Sequence, residues 1–535
     1  MTKNIKTFII AGLVCCSTAA TMTSCNDYLD IYPENVQPTD EYWSSKEDVE
    51  ATLMSGYYYL RASVEDNLIP WGELRAGCIS SRSSNALQRF EVKPSSSITK
   101  WASMYKIVNS ANLVLKNAGK ALANDDTYNE NAMRSHYCEA YWLRALAYFY
   151  LVRNWRDVPL ITQPFETDEL TINVAKSSEE KVIAQIKSDL ETAIKLNASK
   201  EKFNTTWETK GRATKWAIYA LLTDVCLWNQ NFDEAITYAD AILNSSSASA
   251  PHFMSTPSHT SWFTIFNPGN SNESIYEVQW SYDKLSQGTP QTNTLVEIFN
   301  PSGSYKYLYS TQMLDDFRDE YRTLREKYAA TFEPDLGVRT MYGGFVTNES
   351  NAENFENATS AYCYKYYGGT SYNILRGSVQ EFDGNYILYR VADVMLMKAE
   401  ALIMRNLGKV SADNQEAIDI INQIRARTNL DATTEVTNTS SLSDLLKKGV
   451  LHERIMELAG EGKAWYDFLR IGRYTDPSGE TNFKNILIDN VVTYNKAVQE
   501  SRIRSVLNDE NAWFMPINAS EINANKLLEQ NPYYL

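Results

Sequence analysis

The chain has 535 residues and a formal net charge of −15. That acidic balance excludes the basic face that nucleic acids and phosphate-rich partners require, and it suits an anionic membrane surface poorly. Beyond Cys25 only Cys78, Cys138, Cys226 and Cys363 remain, without CxxC spacing, which excludes a disulfide scaffold and a zinc knuckle; whether any pair is bridged stays open. The aromatic content is high, with 34 Tyr and 12 Trp, and Tyr is favoured where a surface is half apolar and half wet.

The N-terminus sets the compartment. Lys3 and Lys6 precede an apolar run from Phe8 to Val14 that trails through small residues to Ala20. That is the size of a signal-peptide core, too short to span a bilayer. Met22-Thr23-Ser24-Cys25 resembles the lipobox of bacterial lipoproteins, with Met22 where Leu is more usual. The expectation is a signal peptide over 1–24 and acylation at Cys25, which anchors the chain to a membrane rather than through it. The competing readings are an ordinary cleaved signal and lipidation at Cys16, which would leave a stunted apolar run. No later stretch approaches the roughly 18–20 apolar residues of a spanning helix.

Several stretches read as long helices. In 136–153, Tyr137, Tyr141, Ala145, Tyr148 and Val152 recur at steps of three and four. The stretch 212–228 is apolar on more than one face, as expected between neighbours. The stretch 231–243 opens Asn231-Phe232-Asp233-Glu234-Ala235, a turn that resembles the tetratricopeptide repeat, where the small Ala lets two helices approach. Stretches 390–405 and 413–427 form another pair, with Ala399, Ala401, Ala417 and Ile421 at close crossings. Helix pairs of similar size predict a helical solenoid. Two loop-rich regions separate them, 60–100 and 245–388, and their aromatic content argues against disorder.

Catalytic signatures are mostly absent. His452-Glu453 starts like a zincin motif, but Met456 stands where the second His is required. No GxSxG elbow, P-loop or GxGxxG occurs. A glycosidase needs two carboxylates at a set separation, and among 66 acidic residues sequence nominates no pair. The run Asp125 to Asn131 has oxygen ligands suited to calcium but lacks the EF-hand Gly, so a solvated inter-helix loop is the favoured reading and calcium is not predicted. His136 reads as packing or solvated.

Along nearly its whole mature length the chain resembles the SusD/RagB-like outer-membrane lipoproteins. The resemblance rests on ordered blocks: Cys25-Asn26-Asp27-Tyr28-Leu29-Asp30; Trp101 to Leu113; Arg144 to Phe149 leading to Trp155-Arg156-Asp157-Val158-Pro159-Leu160, with Arg156 where Gly is usual; Tyr389 to Asp393 with Ala399-Glu400-Ala401; Ile421-Asn422 with Arg425 and Arg427; Glu453-Arg454, Glu457 to Ala459, Glu461-Gly462 and Trp465-Tyr466-Asp467; and Pro516-Ile517, Glu521-Ile522 and Asn531-Pro532-Tyr533. The resemblance implies an all-α dominated fold. Its scaffold is a tetratricopeptide-like superhelix of about four helix pairs, mainly 101–243 and 389–535. A loop-rich, partly β-hairpin part, mainly 60–100 and 245–388, carries the ligand surface. It further implies a non-catalytic binder without cofactor, lipid-anchored and surface-exposed on the outer membrane, that passes a glycan to a SusC-type TonB-dependent transporter. The alternative is a RagB-type peptide binder. Glu453, Arg454, Glu461 and Asp467 read as a helix-cap and ion-pair set.

The ligand surface is expected on the loops, since the helices carry the family's packing residues. The candidates are Trp71, Arg75, Arg82 and Phe90; Tyr282, Tyr305, Tyr307 and Tyr309; and Tyr366, Tyr367 and Tyr372 beside Gly368 and Gly369. The spacing of Tyr305, Tyr307 and Tyr309 puts all three on one side of a strand, either as a stacking platform or as the buried face of a hairpin. An aromatic covering a sugar's apolar face removes ~50 Å², worth roughly 1 kcal/mol, so several rings and hydrogen bonds are needed for micromolar affinity. Arg75 and Arg82 offer forks for hydroxyls or a carboxylate.

Overall fold

The computed structural model describes residues 42–166, 173–280, 294–299, 306–333, 336–340, 345–347, 358–368 and 384–535. The principal helices of the first half are α1 Lys46–Ala62, α2 Ala102–Asn124, α3 Glu130–Trp155, α4 Glu179–Lys195, α5 Lys215–Trp228 and α6 Phe232–Leu243. After them come α7 Thr311–Tyr328, α8 Val391–Arg405, α9 Ala412–Arg427, α10 His452–Glu457, α11 Ala464–Gly472 and α12 Phe483–Tyr494. None of the described helices is long and apolar enough to cross a membrane.

Helix α1 packs on α2, α3 on α4, α5 on α6, and α8 on α9; α2/α3, α4/α5 and α6/α8 contacts join these four pairs into one succession. This is the expected superhelix, and it begins earlier than residue 101, at α1. Its starts are written in the sequence. Ser45 and Asp48 form a capping box on α1, and the Asn129 and Thr214 side chains accept from the first turns of α3 and α5. Ala235, in the tetratricopeptide-like turn, is fully buried. From Ser135 to Trp155 nearly every residue of α3 is buried, and its charges are matched in place: Arg144 pairs with Asp189 of α4 at 2.6 Å, and Arg153 with Asp224 of α5 at 3.4 Å.

Between α6 and α8 the chain leaves the superhelix and returns. It carries three short strands, β2 Ser274–Val278, β3 Tyr307–Tyr309 and β4 Tyr386–Arg390, and is met by β1 Ile79–Ser81 from the first loop-rich region. The excursion is closed at its base, where β2 pairs antiparallel with β4. Strand β1 pairs with β3, which ties the first loop-rich region to the second. Two further pairs are Val158–Pro159 with Lys176–Ser177, and Phe345–Thr347 with Ala361–Cys363. The stretch 60–100 holds two π-helical turns, Val64–Leu68 and Pro70–Leu74. The second crosses the loop after α10 so closely that a Cβ on Gly72 would sit 2.1 Å from the Gly462 carbonyl oxygen. Cys78, Cys138, Cys226 and Cys363 are all free and buried.

Candidate functional site

The acids and bases of the last third meet in the interior. Arg390, where β4 runs into α8, donates to Glu273 (2.9 Å), Glu457 (2.7 Å) and Glu461 (2.9 Å). Arg427, at the end of α9, reaches Glu273 and Glu457 at 2.5 and 2.6 Å. Arg339 bridges Glu320 and Glu453, and Lys365 holds Glu461 at 2.6 Å. Burial alone would raise the Glu457 carboxyl, but Arg427, Arg390 and Arg339 hold it well below the usual carboxylate range. A second set joins Arg454 to Asp393 and Asp467, both at 2.9 Å. Burial raises Asp393 too, yet Lys463 and Arg454 bring it to about 2. The ion-pair expectation for Glu453, Arg454, Glu461 and Asp467 therefore stands. The capping half does not, because neither α10, entered through Leu451, nor α11, entered through Lys463, has a side-chain cap. His452-Glu453 is no metal pair: Glu453 is spent on Arg339. His136 is buried with its Nδ1 on the Tyr128 hydroxyl at 2.9 Å, and burial first, then Arg212, draws it down to about 4. Asp125 accepts from the Thr127 and Lys46 amides at 2.8 and 3.0 Å, in a turn between α2 and α3.

Six of the expected ligand residues belong to the core. Trp71 is fully buried, its Nε1 donating to Ile98 O at 3.1 Å and its ring edge-on to Trp155. Arg75 lies 4.2 Å above the Trp465 ring and donates to Ala512 O; burial pulls it down to about 10. On β3, Tyr307 and Tyr309 both point inward, and the Tyr309 hydroxyl donates to Cys363 Sγ at 3.1 Å and Ala459 O at 3.3 Å. Tyr366 stacks on Phe299 and donates to Gly460 O; Tyr367 packs on Val296. A Cβ on Gly368 would meet the Tyr364 and Phe263 rings within 3 Å, so that glycine serves packing rather than ligand approach. For Tyr309 and Tyr366 the physical reason is a hydroxyl that finds a carbonyl, which lets a Tyr bury as readily as Phe; clustering in sequence does not distinguish that from a platform. Tyr282, Tyr305, Tyr372 and Gly369 lie outside the described residues. Arg82 is exposed, and its amide donates to Lys306 O at 2.9 Å, extending the β1–β3 ladder. Phe90 is half-buried beside Trp465 at 6.3 Å.

Sequence reasoning missed a groove of about 700 Å³ formed by α1, α2, the stretch 159–165 and the C-terminal segment. Tyr59, Trp101, Tyr105, Ile161, Phe165 and Leu528 give it an apolar wall. Tyr105, Leu113, Leu160, Ile161 and Phe165 were its signal, being apolar side chains left half-exposed on an otherwise packed pair.

Two family models cover the chain. One, described as starch-binding associating with outer membrane, matches residues 27–227; the other, the SusD family, matches residues 272–534. The chain belongs to the SusD/RagB-like family, whose description places its members at the outer membrane. A SusD-like protein of Formosa agariphila is 25% identical over 514 residues, covering 90% of this chain and 94% of the relative. One of Bacteroides ovatus is 26% identical, covering 88% and 84%. Among solved structures, a SusD superfamily protein of Bacteroides thetaiotaomicron aligns with a TM-score of 0.68 at 22% identity, over 92% of this chain and 99% of that one. A laminarin-binding SusD-like protein aligns at 0.64 and 22%, over 92% and 100%.

Proposed function

We propose that this protein is a non-catalytic, surface-exposed lipoprotein that binds a glycan and hands it to a SusC-type TonB-dependent transporter. The carrying observation is that two family models of one kind succeed each other along the chain, and the first is described as starch-binding at the outer membrane. A relative of the same fold named for laminarin binding supports a glycan over a peptide. The non-catalytic reading is supported by the absorption of His136, Glu453, Glu457 and Glu461 into structural bonds. The exposed Arg82 and half-buried Phe90, on the loop beside the β1–β3 pair, are the ligand candidates left among the described residues. A guanidinium fork and an aromatic face are the two elements a sugar site combines.

The test is binding of the purified mature protein to a glycan array beside a peptide library, followed by calorimetry and by product analysis after long incubation. The expected result is binding to a restricted set of oligo- or polysaccharides, with no new products. Binding confined to peptides, or release of sugars, overturns the reading. Arg82→Ala is expected to weaken binding several-fold while leaving the melting temperature in place; Phe90→Ala is expected to weaken binding several-fold in protein that remains folded, with a lower melting temperature from its lost packing beside Trp465.

A further inference from the structure

The walls of the groove on α1 and α2 are tied together by their own hydrogen bonds. Tyr105 donates to Pro159 O at 2.8 Å, Asn109 exchanges bonds with the Phe165 backbone, and Asn112 donates to the Ile161 and Gln163 carbonyls. Ser55 and Ser110 bond each other at 2.8 Å. The groove is therefore formed before any ligand arrives, as small-molecule sites usually are. Its volume of about 700 Å³ falls in the range of such sites, roughly 300–1,000 Å³.

Two kinds of side chain in the lining remain open to a ligand. Tyr59, Tyr105 and Phe165 are only half-buried, and each lines the groove. Tyr58, beside them, is exposed and edge-on to Tyr59 at 5.5 Å. The charged residues of the lining are Lys106 and Glu521. Lys106 is exposed and lies 5.1 Å from the Tyr59 ring. Glu521 is half-buried and close to Tyr105: burial first, then Tyr148 and Glu521, push that phenol well up. Among the described residues, neither the Lys106 ammonium nor the Glu521 carboxylate has a hydrogen-bond or ion-pair partner.

That combination selects the ligand. A lipid tail or an apolar peptide laid over the rings would strip water from Glu521 and offer it no bond in return, which is unfavourable. A sugar has a flat apolar face to cover a ring, and hydroxyls that donate to a carboxylate and accept from an ammonium. One acid beside one base leaves no excess positive charge for a uronate or a sulfate, so neutral sugars fit best.

We propose that the groove is a second carbohydrate site, for a neutral oligosaccharide whose rings lie on Tyr59, Tyr105 and Phe165 and whose hydroxyls bond Glu521 and Lys106. It rests on the glycan reading above, but it is built on α1, α2 and the C-terminal segment rather than on the loop of Arg82 and Phe90.

The test reads the purified mature protein on a glycan array carrying neutral and uronate oligosaccharides, laminarihexaose, maltohexaose and hexagalacturonate among them. Wild type is compared with Lys106→Ala, Glu521→Ala, Phe165→Ala and Arg82→Ala, and the strongest neutral glycan is then titrated by calorimetry. Neither Lys106 nor Glu521 makes a side-chain bond within the described fold, so both variants are expected to keep the melting temperature. Phe165→Ala leaves the backbone that holds Asn109, and is compared in protein that remains folded. Each groove variant is expected to weaken neutral-glycan binding about fivefold. Wild-type binding in all three groove variants, with Arg82→Ala weakened, overturns the proposal and leaves the glycan reading standing. A wild type that binds no glycan overturns both. Loss confined to uronate glycans, or to peptides in a parallel library, also overturns it, because the groove would then hold a different ligand.

Discussion

At Glu457 the guanidiniums of Arg339, Arg390 and Arg427 converge on one buried carboxylate. Removing one partner of such a set leaves buried charge uncompensated, at a cost of about 3–5 kcal/mol. Glu457→Gln is expected to lose that much in denaturant unfolding, without altering ligand affinity in protein that remains folded. Glu73 behaves oppositely. Burial pushes it up to about 7, although the Gly462 and Lys463 amides donate to it at 2.8 and 3.1 Å. Between its ordinary 4.5 and about 7 the native state holds a proton the unfolded chain has released. Stability therefore falls as pH rises through that window, by on the order of 3 kcal/mol. Glu73→Gln keeps an oxygen for both amides, so its stability relative to wild type is expected to improve from pH 5 to pH 8 in thermal melts. Asp393, with its lowered value, stabilises at neutral pH and loses that contribution as pH falls toward about 2. Arg156 ends α3 at φ 65°, ψ −79°, a strained backbone for any side chain. Arg156→Gly is expected to gain about 1 kcal/mol, less whatever its approach to the Phe514 ring contributes; a loss on urea titration would show that the ring contact outweighs the strain.

Among the elements, the close crossings are the sensitive points. Ala235→Leu adds bulk where α5 and α6 meet, and is expected to cost about 1–3 kcal/mol, seen as a lower melting temperature with ligand affinity intact. Period-3.6 patterning made these helices legible: the stretches 136–153, 212–228, 231–243, 390–405 and 413–427 all lie on observed helices, give or take a few end residues. Helix α1 was less visible because its run of Tyr57, Tyr58 and Tyr59 blurs the apolar face. The ligand surface was hardest to read. In 60–100 the aromatic and basic residues divide between a buried turn, with Trp71 and Arg75, and an exposed loop, with Arg82. What separates them is which backbone carbonyl each side chain meets in the fold, Ile98 for Trp71 and Ala512 for Arg75, and those partners are 27 and 437 residues away.

For the whole molecule, Cys25→Ala is expected to move the protein from the detergent phase to the aqueous phase; unchanged partitioning would end the anchor reading. Affinity purification from solubilised outer membranes is expected to bring down a TonB-dependent barrel, and a lone chain in every detergent would count against the transporter. The interior charge network has a further bearing on how the chain comes to be folded at all. Its members enter the sequence at 273, 320, 339, 365, 390, 427, 453, 457 and 461, and the turn at Glu73 waits for Gly462. The early helices also depend on late arrivals: Asn154 donates to the Tyr466 hydroxyl and Trp155 to Pro516 O. A chain emerging from its N-terminus thus carries half a superhelix whose closing residues are still unmade, and closing such long loops is slow. A fragment ending before about residue 450 would lack Glu453, Glu457 and Glu461 together, leaving Lys365 and Arg339 short of their buried partners, and such a fragment is expected to be cut readily by added protease.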